Sequence, residues 1–185
     1  MHLERCICHH IPKLDLQTKL SLIIHHRELK RTTNTGRLAT HALVNSKMYV
    51  RGKDKSPLEL TSLICSDYET YVLFPSDDAL DIETIRPKKP VHLIVADGNW
   101  RQASKVHKRQ PELATITRVK IGDKNLSEHF LRREHFAEGF STLEAIAIAL
   151  GCFEGLSIRE QLMALYQAKL EATLRGRGHL LVGVR

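Results

Sequence analysis

The sequence lacks the features that mark membrane and secreted proteins. No stretch of its 185 residues approaches the roughly 18 consecutive apolar residues of a membrane helix, and the segment MHLERCICHH has no signal-peptide core. Four cysteines are too few and too scattered for a disulfide framework: Cys6, Cys8, Cys65 and Cys152. We therefore expect a cytoplasmic protein that does not bind membranes.

Apolar content and positive charge narrow the class of protein. With 42% hydrophobic residues, the chain can build one globular domain over residues 1–185, which includes a short N-terminal Cys/His segment at residues 1–12. Its formal charge of +7 favours an anionic partner. Charge alone does not separate RNA from DNA.

The most informative stretch is VHLIVADGNWRQASKV at residues 91–106. Its apolar first half predicts a buried parallel strand, Asp97-Gly98 predicts a turn, and Ala103 and Val106 fall at helical spacing. Asp97 would then lie at the carboxyl end of a strand, where open α/β sheets bind ligands. A lone Asp before a helix is more often an N-cap, so the local pattern leaves both roles open.

Two other strands are predicted to end in polar turns. Residues 20–24 form one strand, and the basic loop HHRELKRTTNTGR connects it to a helix over residues 37–44, capped by Asn34 or Thr35. That loop is either solvated or binds a carboxylate or phosphate. Residues 70–74 form the second strand, which Pro75 ends. We also expect a short helix at 58–64, a weaker strand at 115–119, and Pro111 as the end of the Trp100 helix.

The C-terminal third predicts two helices. Ser141 and Glu144 form a capping box before a helix that is apolar on all sides and therefore buried, although its N-terminus also offers donors to an anion. Residues 158–174 form the strongest amphipathic helix, which the segment 175–179 breaks.

Cys6, Cys8, His9 and His10 cluster within five residues. An ordinary reduced thiol pair is favoured over a structural zinc site, because C-x-C is not the usual two-residue knuckle. Trp100, the only tryptophan, suits a core anchor and also a surface for a base or a sulfonium cation.

Four motifs, in order over about residues 6 to 150, resemble those of the DTW-domain family: CICHHIP, HHREL with NTGRL, DGNW with QASK, and STLEA. Asn99 stands where that family usually has Thr. The family comprises tRNA-uridine aminocarboxypropyltransferases and is similar to SPOUT-like enzymes that use S-adenosylmethionine (SAM). The resemblance implies an α/β fold, SPOUT-like, with a mostly parallel sheet, helices on both faces, and with or without the SPOUT knot.

The resemblance also implies a site. Asp97 would be the general base for uridine N3, with tRNA as the partner. SAM, as co-substrate, would contact Leu73, Phe74, Pro75, Ser76, Gly98, Trp100, Ser141, Thr142 and Glu144. RNA would contact His26, Arg27, Thr35, Arg37, Arg101, Lys105, Arg132 and Arg133. Two alternatives remain at this point: a SAM-dependent RNA methyltransferase, and a non-catalytic RNA-binding or ribosome-assembly module.

Overall fold

A computed structural model describes residues 6–53, 58, 60, 63–98, 103, 106, 110–122 and 140–176. Its centre is one sheet built from β1 (Lys19–His25), β2 (Ser46–Arg51), β3 (Glu69–Leu73), β4 (Leu80–Asp81), β5 (Val91–Asp97) and β6 (Thr117–Lys120). The spatial order is β2-β1-β5-β3-β6-β4, and every pairing is parallel. The α/β class with a parallel sheet is thereby confirmed.

The helices whose bounds the structure describes are α1 (Gly36–Ala42), α2 (Pro111–Ala114), α3 (Thr142–Glu154) and α4 (Leu156–Gly176). Short 3-10 turns lie at Cys8–His10, His26–Glu28 and Ile82–Thr84. Ala103 and Val106 are also helical and buried, as the 3.6-residue spacing predicted. None of the described helices has the length and apolar character needed to cross a membrane.

The sheet is covered on both faces. On the first face, Leu22, Leu93 and Val95 pack in one cluster with residues of α1, α3 and α4. On the second face, Ile23 and Ile94 pack with Leu63, Val106 and Leu113. Because successive side chains of a strand point to opposite faces, β1 and β5 need apolar residues at nearly every position, which explains their unbroken hydrophobic runs.

One polar pair is buried inside this sheet. Ser21 Oγ and His92 Nε2 lie 2.7 Å apart on neighbouring strands, and His92 Nδ1 lies 2.9 Å from the Leu63 carbonyl oxygen. Both ring nitrogens therefore have partners, which removes most of the cost of burying a polar group.

Several predicted boundaries were wrong. β2 and β4 were not predicted, and Pro111, which follows the extended Gln110, is also the first residue of α2, because proline is tolerated in the first turn. α4 continues through Arg175 and Gly176. α1 ends at Ala42, so Val44 lies beyond it. Parts of the predicted 58–64 helix and all of residues 123–139 lie outside the described residues.

Candidate active site

The site lies where three neighbouring strands end. Ile24 of β1 pairs with Asp97 of β5, and Leu73 of β3 pairs with Val95 on the other side of β5. The turns that follow β1, β5 and β3 therefore lie side by side at the carboxyl edge of the sheet. Side chains alternate along β5, so Asp97 points to the same face as Val95, toward α1 and α3.

Asp97 is buried, with 4% of its surface exposed, and its carboxylate joins two distant segments. Asn34 Nδ2 donates to Oδ2 at 2.5 Å, and the Thr142 hydroxyl donates to Oδ1 at 2.5 Å. Three of the sequence motifs thus meet at one side chain. The predicted place of Asp97 at the carboxyl end of a strand is confirmed, its role as a base stays a prediction, and the two donors were not predicted.

Two glycines, Gly36 and Gly98, allow the start of α1 and the turn after β5 to lie close to Asp97. A Cβ at Gly36 would lie 2.9 Å from both Cγ and Oδ2 of Asp97 and 3.1 Å from Thr142 Cγ2, so a larger residue at the start of α1 would collide with the carboxylate. Gly98 has a φ of 142°, a conformation that residues with a Cβ rarely adopt. The chain can therefore turn immediately after Asp97.

The loop between β1 and α1 is ordered by its own hydrogen bonds. The Arg31 N–H donates to the Glu28 carbonyl and the Asn34 N–H donates to the Arg31 carbonyl, each at 3.1 Å. Arg37 Nη1 donates to the Leu29 carbonyl at 2.6 Å. Arg37, predicted to contact RNA, therefore also stabilises the loop.

The N-terminus of α3 is capped as predicted. Ser141 Oγ accepts from the Glu144 N–H at 3.3 Å, and Glu144 Oε2 accepts from the Ser141 N–H at 2.8 Å. The Leu143 N–H donates to Thr35 Oγ1 at 3.4 Å. These contacts give Ser141, Glu144 and Thr35 local structural roles, and they join α3 to α1 beside Asp97.

The turn after β3 lies at the same edge. Leu73 packs on the first face, like Asp97, whereas the Phe74 ring packs on the second face. The Phe74 N–H donates to the Val119 carbonyl at 3.0 Å, and the Ala79 N–H closes a turn on the Ser76 carbonyl. Pro75 is exposed between them.

Positive charge gathers at the ends of β1 and β2. His26 and Arg27 follow β1 in a partly exposed turn, and Arg51 pairs with His25 across the two strands. Burial lowers the pKa of His25 below its ordinary value. The positive charges of Arg51, His26 and Arg27 lower that pKa further. This edge of the site is therefore electropositive and suits an anion.

The basic segment at residues 86–90 lies at the other end of the sheet, just before β5. Arg86 Nη1 donates to the carbonyls of Glu83 and Ile85, and Lys89 Nζ donates to the Ser66 carbonyl. Two adjoining grooves of about 380 and 310 Å³ lie at this amino edge and share Pro87 and Phe153. They are separate from the site around Asp97.

The possible metal site and several other predicted site residues remain to be placed. Among the described residues, no three His, Cys, Asp or Glu side chains are arranged to hold a metal ion. Within the N-terminal cluster, the His9 and His10 rings are tilted by 42° with their centroids 4.1 Å apart, and Cys6 and Cys8 are free thiols. The predicted site residues that lie outside the described parts of the chain are Trp100, Arg101, Lys105, Arg132 and Arg133.

The parallel sheet with a buried carboxylate at a strand end defines an α/β protein with its candidate site at the carboxyl edge. The chain belongs to the DTW domain family, whose model matches residues 1–174.

Two curated relatives share this region. A tRNA-uridine aminocarboxypropyltransferase 2 from Mus musculus is 28% identical over 173 residues, and one from Macaca fascicularis is 28% identical over 174 residues. Each alignment covers 88% of this chain and 58% of the relative, so the chain matches somewhat more than half of their length. No solved structure matches the chain significantly.

Proposed function

We propose that the protein is a cytoplasmic tRNA-uridine aminocarboxypropyltransferase, which moves the 3-amino-3-carboxypropyl group of SAM to N3 of a loop uridine in tRNA. The observation that carries this proposal is the meeting of three family motifs at Asp97, on the carboxyl edge of a parallel sheet. The names of the two relatives support the same activity.

The carboxyl edge has groups suited to SAM. The turn after β3 brings the backbone of Leu73, Phe74 and Pro75 next to the end of β5, where it can contact an adenine. The electropositive ends of β1 and β2 suit the carboxylate of the methionine arm. The sulfonium of SAM makes the adjacent γ-carbon reactive, and the orientation of the arm decides which carbon is attacked.

The reaction needs an acceptor for one proton. A bond forms between uridine N3 and the γ-carbon, the bond from that carbon to sulfur breaks, and 5′-methylthioadenosine leaves. The proton of N3 must go to a base. We assign this role to Asp97, acting directly or through water, because each of its oxygens keeps a second lone pair beyond the hydrogen bond it accepts.

Positive charge beside the site suits tRNA. His26 and Arg27 lie on the loop that also supplies Asn34, and Arg37 follows in the first turn of α1, so phosphates bound there would lie close to Asp97. Uridine N3 is on the Watson–Crick edge, so the base must be unstacked or already in a loop.

The test is to incubate the protein with SAM and unmodified tRNA, then analyse nucleosides and small products by mass spectrometry. We expect uridine carrying the aminocarboxypropyl group, with an equal amount of 5′-methylthioadenosine. A methylated nucleoside with S-adenosylhomocysteine would instead identify a methyltransferase. tRNA binding without either product would identify a non-catalytic RNA-binding module.

A further inference from the structure

Asp97 has contacts that a helix-capping residue does not need. Its two oxygens accept from two side chains that belong to different segments, Asn34 before α1 and Thr142 in the first turn of α3. The sequence separations are 63 and 45 residues. Each oxygen receives one donor, so rotation of the carboxylate would break both hydrogen bonds.

The orientation of the Asn34 amide follows from its neighbours. Its Oδ1 accepts from the Arg37 N–H at 3.2 Å, in the first turn of α1. The amide NH₂ must therefore face Asp97, because the oxygen end of the side chain is already used. Asn34 thus has two separable functions, an acceptor for α1 and a donor to Asp97.

Thr142 is held in place from two directions. It is the first residue of α3, directly after the capping box, and its methyl group lies against Gly36. The hydroxyl is therefore directed at Asp97 by the helix end and by close packing with α1.

From this geometry we infer that Asn34 and Thr142 are positioning residues for Asp97 in the proposed transfer reaction. Together with Gly36 they form a carboxylate clamp, which aims the remaining lone pairs of Asp97 at the incoming uridine. A base must lie within hydrogen-bond reach of the proton it removes, so a small rotation of the carboxylate lowers the rate without preventing binding. This inference rests on the proposed function and gives Thr142 a different role from the SAM contact expected from the family motif.

Two substitutions remove a donor while keeping shape. Asn34→Asp retains an acceptor for the Arg37 N–H, since Asp is also favoured near helix N-termini, but places a like charge against Asp97. Thr142→Val retains the volume and removes the hydroxyl, and Thr142→Ser retains the hydroxyl. Matched controls away from the site are Asn45→Asp, before β2, and Thr173→Val, on α4.

The experiment measures kcat and KM for SAM and for tRNA, with the thermal unfolding midpoint of each variant. We expect Asn34→Asp and Thr142→Val to lower kcat by about tenfold or more, with each KM changed less than about threefold. Thr142→Ser should recover kcat to within about threefold of wild type, and both controls should match wild type. If Thr142→Val does not fold, Asn34→Asp and Thr142→Ser still decide the question.

Two results would overturn the clamp. One is wild-type kcat in folded Asn34→Asp and Thr142→Val. The other is Thr142→Ser as impaired as Thr142→Val, which would make the hydroxyl irrelevant. Both of these results can be obtained only if the wild-type protein is active. A wild-type protein that transfers nothing to tRNA would refute the proposed function itself, together with the reaction that the clamp serves.

Discussion

Gly36 lies so close to Asp97 that no side chain fits between the start of α1 and the carboxylate. A Cβ at this position would be 2.9 Å from Asp97 Cγ and Oδ2. This contact explains why a glycine stands at the start of a helix, where it contributes nothing to helix propensity.

Gly36→Ala should lower the transfer rate by about tenfold or more, because the added methyl group displaces Asp97 or moves α1 away from it. Alanine has the higher helix propensity, by up to about 1 kcal/mol, so the free energy of unfolding should fall less than steric strain alone would predict. Single-turnover transfer assays and urea unfolding measure the two effects. Wild-type transfer by this variant would show that the site tolerates movement of the carboxylate.

Asp97→Asn should reduce transfer by about 100-fold or more, because the amide is a poor base and its NH₂ would face a donor from Asn34 or Thr142. Asp97→Ala should abolish transfer and also destabilise the fold, by about 1–3 kcal/mol, since two donors lose their acceptor. Product analysis and chemical denaturation test this, with Asp67→Asn, before β3, as an exposed control. Full activity in either Asp97 variant would eliminate Asp97 as the base.

The buried His92 should make stability depend on pH. Burial and the positive charge of Lys19 lower the pKa of His92 from its ordinary value of 6.5 to about 4. Between these two pH values the unfolded chain binds more protons than the native protein, so stability is fully present above pH 6.5 and is lost as the pH falls toward 4. The loss contributed by His92 is on the order of 3 kcal/mol.

Urea unfolding at pH 7 and at pH 5 measures this effect. His92→Gln should flatten the pH dependence in that range, although it also disturbs the bond to Ser21. His41→Gln, on the exposed side of α1, is the matched control and should keep the wild-type pH dependence. Equal slopes for wild type and His92→Gln would contradict the assignment.

Arg27→Ala combined with Arg51→Ala should weaken tRNA binding, because both charges lie at the strand ends beside the site. Each phosphate contact that is lost should reduce the slope of log affinity against log salt by about 0.7 to 0.9. Filter binding at several salt concentrations measures the slope. Arg175→Ala, on α4 and 3.5 Å from Glu171, should leave it unchanged. An unaltered slope in the double variant would show that RNA does not contact this edge.

The central strands could be predicted because burial on both faces gives β1 and β5 an unmistakable apolar pattern. The edge strands β2 and β4 could not be predicted in this way. β2 has exposed Lys47 and Met48, and β4 has only two residues, so neither shows the alternation or the apolar run of a buried strand.

The candidate site shows a similar division. The position of Asp97 was predictable from the buried strand that it ends, and the capping box was predictable from Ser141 and Glu144. The hydrogen bonds that Asn34 and Thr142 donate to Asp97 were not predictable, because sequence spacing does not show which face of the sheet α1 and α3 cover. Gly36 was the sequence feature that could have indicated these contacts, since a glycine that begins a helix often allows another group to approach the helix closely.

The position of β5 between β1 and β3 has a consequence for synthesis. The nascent chain makes β1, β2 and β3 first, but β1 and β3 have no pairing with each other and must wait for residues 91–97. Asp97 in turn receives its second donor only after Thr142 has emerged. Assembly is therefore dominated by non-local contacts, and the hydrogen bonds of the Asp97 carboxylate are completed only after residues 98–141 have been synthesised.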